Sequence, residues 1–125
     1  MCDRKEQAMN IKKLSDAPAF DVSGIAHVKK RIVIGPSDGS REIVLRYFSL
    51  EPGGATPHHA HAFPHLVKIE AGHGALIDGS GKSHELEQGD YVYINDDETH
   101  HFKNEGAEPF EFICIVPGRG EGLVS

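Results

Sequence analysis

Histidine dominates the chemistry available to this chain. His58, His59, His61 and His65 fall within eight residues, in PGGATPHHAHAFPHLVKIEAGHG, and a pair, His100 and His101, follows downstream. Neutral imidazole carries a lone pair near pH 7, which makes it the commonest metal-binding side chain. His59 and His61 are two apart, so on a strand they point the same way, as two ligands of one ion must. A helical pairing of His61 with His65 is blocked by Pro64 inside the interval, with Pro57 just before the cluster. His58 has the opposite parity and is expected to face outward. In HLVKIEAG, His65 shares a side with Val67 and Ile69, against Leu66, Lys68 and Glu70. A core-facing imidazole is badly placed if unpaired and well placed as a ligand. His59, His61 and His65 are therefore the candidate metal set. Of His100 and His101, only one can face inward on an extended chain, and His101 is read as outward-facing. His27, His73 and His84 read as turn or surface groups.

The elements that must position these side chains are short strands. Turn chemistry recurs at Pro36-Ser37-Asp38-Gly39, Pro52-Gly53-Gly54, Gly72-His73-Gly74, Asp78-Gly79-Ser80-Gly81, Gly89-Asp90 and Asn104-Glu105-Gly106. Between these turns, HVKKRIVI, REIVLRYFSL, HLVKIEAG, GALID, YVYIN, HHFKN and PFEFICIVP read as strands. No window holds a helical period once Gly and Pro are respected. The stretch to about Asp16 is compatible with one short helical turn or with disorder. Many short strands with regular turns indicate an all-β sandwich or barrel. In PFEFICIVP, Phe110, Phe112, Cys114 and Val116 share one side. Glu111 on the opposite side directs the Phe/Cys side inward.

Composition narrows the function classes. At 125 residues, one domain is expected. The net charge is −6 and the basic residues are scattered apart from Lys29, Lys30 and Arg31, which argues against a nucleic-acid partner. Cys2 lies in a polar stretch and Cys114 in an apolar run, so no bridge between them is expected and a reducing, cytoplasmic setting fits. The start MCDRKEQAMN has no apolar run of the signal-peptide kind. No segment approaches the roughly 20 apolar residues that span a bilayer, so no membrane association is expected. Ser23, Ser49, Ser83 and Ser125 sit in no Gly-flanked nucleophile elbow. The glycines precede no helix, so no phosphate-binding loop is present.

The order Gly53, His59, His61, His65, Gly72 resembles the first motif of the cupin superfamily. Gly89, His100 and Asn104 resemble the second, with Asn95 and Asp97 where proline and glycine are usual. The likeness is greatest to small single-domain bacterial cupins with a tetra-histidine manganese site. It runs from KKRIVIG through LEPGG and the histidine cluster to FICIVP. It implies a double-stranded β-helix, the jelly-roll or cupin barrel, over residues 21–117, with a flexible segment 1–20 and a tail 118–125. It also implies a metal site of His59, His61, His65 and His100, with His65 where a glutamate is usual. Four neutral ligands leave a divalent ion its full double charge, so the site is expected to be a strong Lewis acid. Ligand type admits Mn, Fe, Co, Ni, Cu or Zn. Manganese is the first expectation, with iron, nickel or zinc as alternatives. By resemblance, the four side chains fill part of an octahedron and leave neighbouring positions open.

Around that site Phe63, Phe102, Phe112 and Cys114 are candidate pocket walls, suited to a small apolar or carbonyl-containing substrate. Arg46 is the one cation inside a strongly apolar strand. Its parity matches Val44, Phe48 and Leu50, so it is placed to bind a carboxylate or, as the expected role, to pair with a buried acid. The leading functional expectation is a dioxygenase-like oxidoreductase. A non-redox metal-dependent isomerase or decarboxylase and a non-catalytic small-ligand-binding cupin are the alternatives. Leu66, Ile113 and Ile115 are apolar on faces assigned outward, which points to a homodimer.

Overall fold

Alternation of apolar and polar residues is what builds the sheets. The computed structural model describes residues 9–22 and 24–122. Nine strands run through it: β1 Phe20–Asp21, β2 Val28–Ile34, β3 Ile43–Leu50, β4 His65–Ala71, β5 His73–Asp78, β6 Ser83–Glu87, β7 Tyr91–Ile94, β8 His100–Lys103 and β9 Phe110–Pro117. They form an antiparallel six-stranded sheet, ordered β1-β2-β3-β9-β4-β7, and a three-stranded sheet, β6-β5-β8. The fold is all-β, a double-stranded β-helix of the jelly-roll type. β9 alternates strictly, burying Phe110, Phe112, Cys114 and Val116. It sits between β3 and β4, with Arg46 opposite Cys114 on one side and Val67 opposite Cys114 on the other.

The core lies between the two sheets. Leu50, Ile69, Phe110 and Phe112 come from the large sheet, and Leu86 and Phe102 from the small one. Phe110 and Phe112 are fully buried and pack with ring centres 5.6 Å apart; Phe102 meets Phe112 at 4.4 Å. Each such side chain contributes roughly 1.5–3 kcal/mol by leaving water. Gly74 on β5 lies flat against the Phe110 ring, where an added Cβ would come within 2.5 Å of ring carbons. That approach draws β5 close over the core.

Two strands have no counterpart among the runs read from the sequence. β1 is two residues long, and β6 (SHELE) presents only Leu86 to the core. Both are sheet edges, where charged residues guard unpaired backbone and the apolar alternation is weak. Of the N-terminal stretch, read as a short helical turn or as disordered, the described part holds a 3₁₀ turn at Leu14–Asp16. Ala17 just after it is buried, and its carbonyl accepts a hydrogen bond from the Arg31 guanidinium. Residues 118–122, set apart as a tail, hold a 3₁₀ turn at Gly118–Glu121 that packs against β9 and β3. Cys114 is a buried free thiol, and Cys2 lies outside the described residues. Among the described residues, no helix is long and apolar enough to cross a membrane.

Candidate metal centre

The histidine cluster begins on irregular chain, not on a strand. Between Leu50 and His65 the backbone makes only two isolated bridges, both to β8, one at each of its ends: Ala55 with Lys103 and His59 with His100. The premise that His59 and His61 share one regular strand is therefore corrected. Pro57 and Pro64 remove ladder donors from this stretch, which leaves it extended but mostly unpaired. Scattered backbone bonds to β8 and one side-chain bond hold it instead. Thr56 Oγ1 accepts from Phe102 N at 2.8 Å, and Thr56 N donates to Phe102 O at 2.9 Å.

Two motif residues secure the loops on either side. Asn104 is almost wholly buried; its Nδ2 donates to the Leu50 and Glu108 carbonyls, and its Oδ1 accepts from Gly106 N. Asp97 has φ 62°, the left-handed conformation that favours glycine, and its N–H donates to His61 O at 2.6 Å. Aspartate tolerates this region better than most side chains, which accounts for its standing where the resemblance leads one to expect glycine.

The four expected ligands line one cavity of about 220 Å³, together with Arg46, Phe102, Phe112 and Cys114. His65 and His100 are buried, His61 is half-buried and His59 is exposed at the mouth. Ring centres lie 4.1 Å apart for His59–His61, 5.2 Å for His61–His65, 5.0 Å for His65–His100 and 6.0 Å for His61–His100. A histidine–metal bond of about 2.1 Å puts each ring centre roughly 3.2 Å from the ion, and two rings at right angles roughly 4.5 Å apart. The spacing of His61, His65 and His100 thus suits a shared ion, with His59 beside His61 at the mouth. Their orientation does not yet: among the described residues, no three His, Cys, Asp or Glu side chains bring their donor atoms to one point. His61 instead stacks on Phe63, 4.7 Å away and nearly parallel. Rotation of the rings about their side-chain bonds is the adjustment that ligation requires.

Donor chemistry supports the fit. His65 Nδ1 is buried without a hydrogen-bond partner, a costly state for a polar atom unless it serves something else. His100 Nδ1 pairs with the Glu98 carbonyl at 2.8 Å. Nδ1 must be the donor there, which fixes the tautomer and leaves Nε2 with a free lone pair. Burial disfavours the imidazolium, and neighbouring rings add to the effect. His65 is pushed down to about 3, His61 to about 4, and His100 below the usual histidine range. At pH 7 these three bases are neutral, as ligands must be.

The other histidines lie elsewhere. His58 and His101 meet outside the cavity, Nδ1 to Nδ1 at 2.5 Å. His27, His73 and His84 are exposed. Phe63 is not part of the cavity wall with Phe102 and Phe112; it backs His61 and His65 and abuts the space beside Gly120.

Arg46 is buried on the inward face of β3. Its Nη2 donates to Cys114 Sγ at 3.0 Å, and its Nη1 pairs with Glu121 Oε1 at 3.3 Å. Glu121 Oε2 accepts from Lys30 Nζ at 2.5 Å. The acid partnering Arg46 comes from the 3₁₀ turn after β9, a residue that no motif or periodicity had marked. Burial pushes the Cys114 thiol up, against the opposing pull of Arg46, so it stays protonated.

The chain belongs to the cupin family: the family model described as a cupin domain matches residues 46–116. Among solved structures, it is similar to the polyketide cyclase RemF from Streptomyces resistomycificus. That likeness has 26% identity over 88% of this chain and 80% of the other, with a TM-score of 0.83. A cupin 2 domain-containing protein from Halorhodospira halophila is 29% identical over 74% of this chain and 66% of its own, with a TM-score of 0.69. A predicted oxalate decarboxylase from Thermotoga maritima shares the fold at 19% identity, 86% and 98% coverage and a TM-score of 0.77. None of the curated proteins compared with the chain matches it.

Proposed function

We propose that His59, His61, His65 and His100 hold a divalent transition metal, manganese or iron first, and that the protein is an enzyme acting on a small carbonyl-containing substrate in the cavity beside it. One observation carries this reading. Four imidazoles and no carboxylate line one part of a cavity whose remaining wall is mostly aromatic and aliphatic, with Arg46 and Lys30 as its cations. Bound there, the metal would act as a Lewis acid on a carbonyl oxygen. The chain's own contribution is positional. His100 is oriented by the Glu98 carbonyl, the backbone at His61 is held by the Asp97 turn, and Phe102 and Phe112 exclude water from the substrate's apolar side. The similarity to a polyketide cyclase at 26% identity favours chemistry without net oxidation.

The dioxygenase-like reading is the second. The apolar lining by Phe102 and Phe112 beside the imidazoles favours it, since such a wall suits dioxygen as well as an organic substrate. Elemental analysis of protein purified without a nickel column is the first test. Absence of any bound transition metal, and failure to take one up, would sink both readings. Zinc substitution then separates them: Lewis-acid activity on enolisable diketones or keto acids survives zinc, whereas oxygen uptake does not. The working unit is a homodimer joined through the outer face of the large sheet, where Leu66, Tyr91 and Tyr93 stand exposed beside Ile113 and Ile115.

A further inference from the structure

The cavity carries a charge that the imidazoles do not supply. Lys30 and Arg46 both line it, and both sit over the Phe48 ring, at 5.9 and 5.2 Å from its centre. Their shared counter-ion is Glu121, with one oxygen on each cation. Two cations therefore face one carboxylate, and the cluster keeps one positive charge in excess. All three side chains are at least 84% buried, since their exposures are 16%, 10% and 15% for Lys30, Arg46 and Glu121. An excess charge so far removed from water is costly unless an anion answers it. Arg46 also holds an unused donor. Its two terminal nitrogens are committed to Cys114 and Glu121, while its Nε is buried without a partner. A buried guanidinium N–H with no acceptor is rare and marks a place where an acceptor is expected.

We propose that the Arg46 end of the cavity is an anion subsite that selects substrates bearing one carboxylate. The carboxylate pairs with the Lys30 and Arg46 cations that line the cavity and neutralises the excess charge. The apolar body lies along Phe112 and Phe102, which line the same cavity as the imidazoles. Glu121 is the internal counter-ion that limits the subsite to a single negative charge. The proposal rests on the reading of this cavity as the substrate site, but it does not depend on the metal.

The test uses the full chain, as purified and after chelation, titrated with benzoate and with neutral benzamide. Benzoate is expected to bind at least about tenfold more tightly in both states, the effect of one charge-assisted hydrogen bond. Glu121→Gln, on a turn at the end of the described chain, is expected to raise benzoate affinity about tenfold and leave benzamide unchanged. Arg46→Gln is expected to abolish the preference, with folding checked by circular dichroism. Equal binding of the two probes, or binding of neither, overturns the subsite. So does a Glu121→Gln variant that loses stability without gaining benzoate affinity, which is the behaviour of a purely structural ion pair. A preference that disappears on chelation but survives Arg46→Gln also overturns it while leaving the metal reading intact, because the anion would then sit on the metal.

Discussion

His59 and His100 exchange two backbone hydrogen bonds, His59 N to His100 O at 3.2 Å and His100 N to His59 O at 3.1 Å. This bridge joins the loop before β4 to the first residue of β8. It brings together the two motifs that supply the proposed ligands. It also sets their neighbours: His58 and His101 fall on the far side of the same bridge and meet each other there.

Metal content should divide the histidines along that bridge. His65→Ala is expected to lower bound metal by more than about tenfold, since losing even an outer partner of a ligand costs that much. His58→Ala is expected to leave it unchanged. The check is elemental analysis of both variants after identical loading. Equal metal in the two would overturn the assignment of inward and outward faces.

Acid should loosen the metal-free protein earlier than its carboxylates alone would require. His61 and His65 lie at about 4 and about 3 when folded, against 6.5 when unfolded. As pH falls below about 6.5 the unfolded chain takes up protons that the folded one refuses, so stability drops. The loss continues until the folded rings protonate, and above that window it is absent. Urea midpoints measured from pH 8 to pH 4, with ¹⁵N imidazole spectra, test this. Rings that titrate near 6.5 would refute it.

Asp97→Gly is expected to keep or raise stability by up to about 1 kcal/mol. Glycine relieves the left-handed backbone at a small entropic cost. Asp97→Ala is expected to lower stability by about 1 kcal/mol, because alanine has neither freedom nor a local hydrogen bond to favour φ 62°. Chemical denaturation of both variants decides the sign.

Leu66→Lys is expected to halve the mass in solution. Leu66 is 53% exposed on the outer face of β4, with Tyr93 and Tyr91 (59% and 75%) beside it on β7. A contiguous apolar face of this kind is where two copies would meet. Sedimentation velocity of wild type and variant gives the answer; a wild-type monomer would dismiss the interface.

The sequence was most legible where a residue's role follows from parity or from a turn. β9, β3 and β4 have alternation steep enough to assign faces, and Arg46, His65 and Cys114 lie buried on the sides that parity assigned. Legibility failed at edges and across gaps. β6 exposes four of its five residues, so little of it needed to be apolar. The parity of His59 and His61 was argued on a strand, and the structure gives a loop held by Thr56 and two bridges. Glu121 was not legible at all: a lone acid among glycines carries no period, and its partners Arg46 and Lys30 lie 75 and 91 residues away.

That last separation bears on how relatives should be compared. The family match spans residues 46–116 and so contains Arg46 but neither Lys30 nor Glu121. The matched stretch contains all four of the candidate histidines, while two of the three charges in the Arg46 cluster are set by flanking chain. A fusion or truncation at the C-terminus reaches directly into that balance. Two cupins with the same matched domain are free to differ in the sign of the molecule they admit, and ancestry alone does not carry a substrate from one to the other.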